Sequence, residues 1–251
     1  MIAIINEHEL SAMRQACRIT AAARALAGEM VRPGVITKQI DKAVHDYIVS
    51  QGAKPSFLGY GGFPASSCIS VNSTVIHGIP GDYVLQDGDI VSIDVGAYYK
   101  GFHGDCAATF ACGTISAEAK KLIDVTKQSF FEGLRFATQG HRVSDISHAI
   151  QTYVESNGFS VVRSFVGHGV GAQLQEEPEV PNLGAAGRGP RLLRGMTLAV
   201  EPMVNMGTYE VRVLKDRWTT VTADGKLSAH YENTVLITDG EPEILTVTEG
   251  L

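Results

Sequence analysis

The chain is poor in cysteine, tryptophan and basic charge, and it has no long apolar run. Its 251 residues include four cysteines, one tryptophan, and 21 Lys and Arg against 27 Asp and Glu. Cys17, Cys68, Cys106 and Cys112 form no C-x-x-C pair and are too few for a disulfide framework at this length, so they read as reduced, mostly core residues. The formal charge of −6, the pI near 5.7 and the scattered cations argue against nucleic acid or anionic membrane as partners. No apolar stretch approaches the ~20 residues of a membrane-spanning helix. Residues 1–10 (MIAIINEHEL) lack a basic start, and Asn6, Glu7 and Glu9 break their apolar run, which argues against a signal peptide. A cytoplasmic protein is expected. Its 44% hydrophobic and 19% charged residues are those of a globular chain with a large core.

Four helices are predicted. The first starts at Asn6, which can cap it together with Glu9, and runs through Leu10, Met13, Cys17, Leu26 and Met30 to Pro33-Gly34. The second starts at Thr37, carries Ile40, Val44, Tyr47 and Ile48 at helical spacing, and stops at Gly52. Residues 116–140 and 144–158 give another long and another shorter helix, each with a serine cap and a glycine stop. A shift of 106 lays Gly34 on Gly140, Ile40 on Ile146, Ala43 on Ala149, Tyr47 on Tyr153, Ser50 on Ser156 and Gly52 on Gly158. Amphipathic helices share apolar spacing by default, but matched glycines and a matched tyrosine without a gap point to internal duplication. An α+β fold of two halves related by a pseudo-two-fold axis follows, each half with helices packed on antiparallel strands and the site between them. The chain is expected to be one catalytic domain, 1–251, with halves near 1–112 and 113–251. Residues 184–190 (GAAGRGP) are the expected mobile loop.

Residues 89–96 (DIVSIDVG) and 102–110 (FHGDCAATF) flank AYYKG as a hairpin. With the turn centred on Tyr99-Lys100, Asp94 lies opposite Asp105. Like charges there destabilise a sheet unless a cation sits between them. A solvent-facing aspartate is the plain alternative, and a slip of register would undo the pairing. His168 stands between Gly167 and Gly169 after the apolar strand 161–166, so the backbone can come close to a neighbour there. Glu201 lies in an otherwise apolar strand (TLAVEPMV, 197–204) and Glu232 in another (SAHYENTVLI, 228–237). A buried carboxylate is costly without a partner; nearby Arg212 and Arg217 are the alternative to a metal.

Taken in order, SVNSTVIHGIP (70–80), VSIDVGA (91–97), GFHGDCAATF (101–110), VGHGVG (166–171), LAVEPMV (198–204) and HYENTVLI (230–237) resemble the bacterial type I methionine aminopeptidases over essentially the whole chain. The resemblance implies the pita-bread fold and removal of the initiator methionine from nascent chains, near the ribosome, when the second residue is small. It implies a dinuclear centre in which Asp94, Asp105, His168, Glu201 and Glu232 hold two divalent ions, Asp105 and Glu232 bridging them. Four carboxylates against two divalent cations leave no net charge to bury, and the oxygen-rich donor set suits Mn, Fe or Co at least as well as Zn. The ions would activate a hydroxide, Glu201 would move its proton, and His77 would contact the peptide near the scissile bond. Phe57, Tyr60, Phe63, Cys68, Leu174 and Trp218 would line the methionine pocket. The family default is a monomer.

The chain departs from the family pattern at Gln175, where a histidine that donates to the substrate carbonyl is expected. An amide can donate a hydrogen bond but cannot carry a proton charge, so a slower enzyme is predicted. Asn182 and Asn233 also stand where histidine is common in that pattern. Two competing readings are a metal-retaining pseudoenzyme or peptide-binding paralogue, which Gln175 favours, and a proline-directed relative such as prolidase. Relatives of the latter kind carry a further N-terminal domain, for which 251 residues leave no room.

Overall fold

Asn6 caps the first helix through its side chain, which accepts from the backbone N–H groups of His8 and Glu9, while Glu9 accepts from Asn6 N at 3.0 Å. The computed structural model describes residues 2–247, so Met1 of the opening segment lies outside them. Helix α1 (Glu7–Glu29) is followed by α2 (Thr37–Ser50), and α3 (Ala117–Leu134) by α4 (Val143–Ser156). Under the shift of 106, α2 and α4 coincide residue for residue. Their hydrogen bonds coincide as well. Ile36 N donates to Gln39 at 3.0 Å and Arg142 N to Asp145 at 2.8 Å, while Ser50 and Ser156 donate to Tyr47 O and Tyr153 O at 2.7 and 2.8 Å. No helix is long and apolar enough to cross a membrane among the described residues.

Four strands precede the hairpin's second arm: β1 (Lys54–Pro55), β2 (Ser67–Val71), β3 (Thr74–Ile76) and β4 (Ile90–Tyr99), then β5 (Phe102–Ala111). The second half adds β6 (Ser160–Val161), β7 (Gly167–Gly169), β8 (Glu176–Val180), β9 (Thr197–Val200) and β10 (Met203–Asn205). It closes with β11 (Val211–Val213), β12 (Thr220–Thr222), β13 (Ser228–His230), β14 (Glu232–Leu236) and β15 (Glu243–Ile244). The main sheet is antiparallel and runs β1-β4-β5-β14-β9-β7-β8, with β2 on β4 and β15 on β14. Two small sheets, β13-β10-β6 and β11-β12-β3, lie off it. One core packs α1 and α2 on β2 and β4; another packs α3 and α4 on the strands of the second half. This is the pita-bread arrangement of two similar halves sharing one sheet.

Four expectations are corrected. The hairpin turns on Lys100-Gly101, since Tyr99 pairs with Phe102; Asp94 therefore lies opposite Ala107, and Asp105 opposite Gly96. Both turn residues have positive φ, +47° and +93°, as a tight two-residue turn of the right twist requires. The partner moves by two residues, so Asp94 and Asp105 still share a face. Second, α3 ends at Leu134, because Gly140 belongs to the loop entering α4, just as Gly34 belongs to the loop entering α2. Third, Ser144 lies inside α4 rather than capping it, and its hydroxyl bonds the backbone of Arg188. That contact, with Gly187 N on Asp145 and Gly184 N on Gln151, ties the 184–190 loop to α4. Fourth, the strands expected at 161–166, 197–204 and 228–237 are broken. Val161 pairs in a small sheet and Gly167 in the main one, so the chain crosses between them. Residues 201–202 and 231 are the matching corners where β9 gives way to β10 and β13 to β14, bridged by Tyr231 N to Pro202 O at 3.2 Å.

Candidate metal centre and the pocket beside it

Five neighbouring strands of the main sheet each bring one acidic or imidazole side chain to the same place. In sheet order these are Asp94 on β4, Asp105 on β5, Glu232 on β14, Glu201 just past β9, and His168 on β7. Ala107 on the central strand β5 is paired with Asp94 on one side and Glu232 on the other, and Asp105 is two residues along the same face. The Ala107 methyl is thus the side chain between Asp94 and Glu232 in this cross-strand row. His168 pairs with Ala199 on β9, within reach of Glu201.

Both glycines around His168 are demanded by packing. A Cβ on Gly167 would lie 2.3 Å from Ala199 O, and one on Gly169 2.4 Å from Glu177 O. Nδ1 of His168 is 2.8 Å from Gly169 O, so it carries the proton and Nε2 presents a lone pair to the acids, 3.5 Å from Glu201 and 3.8 Å from Asp105. Ligand atoms of Asp105, His168 and Glu232 lie within 4.8 Å of one another, as do those of Asp94, His230 and Glu232. Glu232 is common to both groups. His230, which sequence reasoning missed, is buried, with Nε2 3.8 Å from both Glu201 and Glu232.

The electrostatics of the cluster are those of a site built for cations. Burial raises Asp94 to about 7. Burial first, then neighbouring carboxylates, raises Asp105, Glu201 and Glu232 well above the usual range. Burial also lowers His168, and lowers His230 to about 3. Five buried side-chain polar atoms lack a hydrogen-bond partner among the described residues, and four belong here: Asp94 Oδ1, Asp105 Oδ1, Glu232 Oε1 and His230 Nε2. No arginine is ion-paired to Glu201 or Glu232 among the described residues; the arginine pairs go to Glu243, Glu132, Glu7 and Asp239. Unpaired oxygens converging with imidazole nitrogens fit divalent metal.

The centre forms one end of a cavity of about 320 Å³. Every residue expected in the pocket lines it, namely Phe57, Tyr60, Phe63, Cys68, Leu174 and Trp218, together with His77 and Gln175. Cys68 on β2 is paired directly with Asp94, so strand register alone sets the pocket wall against the acids. Phe57, Phe63, Cys68 and Leu174 are buried in one apolar cluster, whereas Tyr60 sits at the rim, 44% exposed. Its hydroxyl is 3.4 Å from Gln175 Oε1. Phe165, also missed, stands edge-on to the ring of His77 at 5.7 Å, and Trp218 does so at 6.1 Å. His77 itself holds a left-handed backbone, φ +57°, a conformation that concentrates at functional sites, and burial lowers it to about 4.

Asn182 and Asn233 stand behind the site. Asn182 donates to Glu201 O at 3.0 Å. Asn233 follows Glu232 and so points to the opposite face, where its Oδ1 accepts from Arg24 and Thr246.

Residues 11–239 match the model of metallopeptidase family M24. The chain belongs to the M24 metallopeptidases. Within that family it is 58% identical over 247 residues to methionine aminopeptidase of Clostridium perfringens (98% of this chain, 99% of the relative). It is 52% identical to methionine aminopeptidase 1 of Bacillus subtilis, with the same coverage. The crystal structure of methionine aminopeptidase from Thermotoga maritima superposes with a TM-score of 0.96 at 43% identity, covering 98% of this chain and 99% of that one. Prolidase from Pyrococcus furiosus, at 22% identity and TM-score 0.81, shares the fold; this chain covers 66% of its length. Family M24 enzymes are metal-dependent hydrolases, and this M24 chain carries a donor set to match.

Proposed function

We propose that the chain is a methionyl aminopeptidase, acting as one catalytic domain and a monomer in the cytoplasm. Its substrates would be nascent chains near the ribosome whose initiator methionine precedes a small residue. The observation that carries this reading is the shared cavity, with an apolar slot at one end and a buried acidic face at the other, in register through Cys68 and Asp94. The relatives' names support the choice of methionine.

Asp94, Asp105, His168, Glu201 and Glu232 would hold two divalent ions, Mn, Fe, Co or Zn. The chemistry such ions would supply there is a water of lowered pKa and a polarised scissile carbonyl. Glu201 takes the proton from the attacking water and returns it to the leaving amine. The acidic face receives the free α-amine, which confines cleavage to chain ends. Phe57, Phe63, Leu174 and Trp218 bury the thioether side chain, a contribution of roughly 1.5 to 3 kcal/mol. His77, neutral in its apolar setting, donates to the peptide beside the scissile bond. Gln175 replaces the family histidine as the other donor. Tyr60 takes its Oε1 as an acceptor, which leaves the amide N–H₂ for the substrate carbonyl.

The test is cleavage of Met-Ala-Ser by metal-free protein reloaded separately with Mn, Fe, Co and Zn. Methionine release that needs added metal supports the assignment. Tight metal binding without product would instead support the peptide-binding reading that Gln175 favours, and release from Xaa-Pro but not Met-Ala substrates the proline-directed one.

A further inference from the structure

Asp94, Asp105, His168, Glu201 and Glu232 leave one polar group at the centre unused. His230 ends β13, is paired with Met203 two residues beyond Glu201, and is 2% exposed. Its Nε2 has no hydrogen-bond partner, although carboxylate oxygens of Glu201 and Glu232 stand 3.8 Å away on either side. A buried imidazole nitrogen without a partner is a costly arrangement. If it were there to hydrogen-bond a carboxylate it would sit near 3 Å from one of them, not equidistant from two. The 3.8 Å to Glu232 leaves room for a cation between the two groups, and Asp94 offers a ligand atom within 4.8 Å of both.

The two donor groups make this specific. Asp105, His168 and Glu232 form one, Asp94, His230 and Glu232 the other, and each contains one imidazole. We infer that His230 is a further metal ligand in this chain, giving the ion beside Asp94 a nitrogen donor where the five-residue set offers it carboxylates alone. The inference rests on the metallopeptidase reading above and goes beyond its ligand set. The consequence is selectivity. An all-oxygen position suits Mg, Ca and Mn, whereas an imidazole favours Zn, Fe, Co and Ni. The second ion is therefore held more firmly, and with a stronger bias toward those metals, than the expected ligand set provides.

X-ray absorption on wild-type protein carrying two cobalt ions reads the ligands directly. The expected count is about one imidazole per cobalt, from His168 and His230; about one for every two cobalts overturns the inference. Calorimetric cobalt titration of His230→Gln should show one of two binding events weakened at least about tenfold, since even residues behind a ligand cost 10 to 100-fold, with the other unchanged. Two unaltered binding events in that variant overturn it as well. The absorption measurement needs no variant, so misfolding of His230→Gln does not blunt the test. Cleavage of Met-Ala-Ser with a half count would sink the inference and spare the proposed function; a full count without cleavage would do the reverse.

Discussion

Gln175 is the residue most informative about rate, because it lies in the cavity wall with its carbonyl oxygen turned toward Tyr60. Loss of an oxyanion donor costs ~100 to 1000-fold, and an amide retains a donor, so Gln175→His should raise kcat on a Met-Ala peptide by up to roughly tenfold. An unchanged or lower kcat would show that this position does not face the reacting carbonyl. At this scale the sequence was legible wherever a residue was chemically out of place: a carboxylate in an apolar run, or a histidine between two glycines. In the apolar run 228–237 the carboxylate of Glu232 is the residue out of place, and that His230 meets it at one centre across the corner at 231 is visible only in the fold. Phe165 gave no signal at all, since its role depends on the ring of His77 arriving from the other half.

Strands, rather than loops, build the centre, and the element that decides its size is β5. Ala107 stands between Asp94 and Glu232 in the cross-strand row, and it is fully buried. Ala107→Leu drives three further carbons into that row. Overpacking of this kind costs ~1 to 3 kcal/mol, so the variant should fold, with a lowered Tm, while calorimetry shows at least one divalent ion no longer bound. Ala107→Ser, nearly isosteric, should keep both. Full metal binding by the leucine variant would mean that β5 does not present this face to the ions. A Cβ on Gly169 meets Glu177 O at 2.4 Å, so Gly169→Ala should shift the His168 strand and weaken the ion that His168 serves, checked by the same titration. The helix starts were readable to within a residue or two because caps are local, as with Asn6 and Glu9, whereas α1 and α3 end several residues before the glycines at 34 and 140, which belong to the loops that follow. The hairpin register was misplaced although its signal was present, since a glycine at the second turn position favours Lys100-Gly101 over Tyr99-Lys100.

Across the whole molecule, the two halves of the fold place the acids where neither could keep them alone: Asp94 and Asp105 come from the first half, His168, Glu201 and Glu232 from the second, on one continuous sheet. Folding therefore forces carboxylates together, and without cations it does so against their charge. Asp94 is raised by burial to about 7, and burial with the neighbouring carboxylates raises Asp105, Glu201 and Glu232 well above the usual range. A carboxyl whose folded pKa exceeds its unfolded value binds more protons when folded, so its contribution is intact below the unfolded pKa of ~4 and is lost as pH rises through the folded one. The metal-free protein should accordingly lose Tm as pH is raised from about 5 to 8. Cations compete with those same protons, so their effect runs the other way. At free metal 100 times Kd each bound ion adds ~2.7 kcal/mol, which for a chain of this size is about 5 to 10 °C in Tm. Calorimetric scans with and without Mn should show curves that nearly meet near pH 5 and separate by that amount or more at pH 8. A gap that stays constant across this range would mean that metal stabilises the fold from somewhere other than the buried acidic face, because ions held anywhere else would not have to displace those protons.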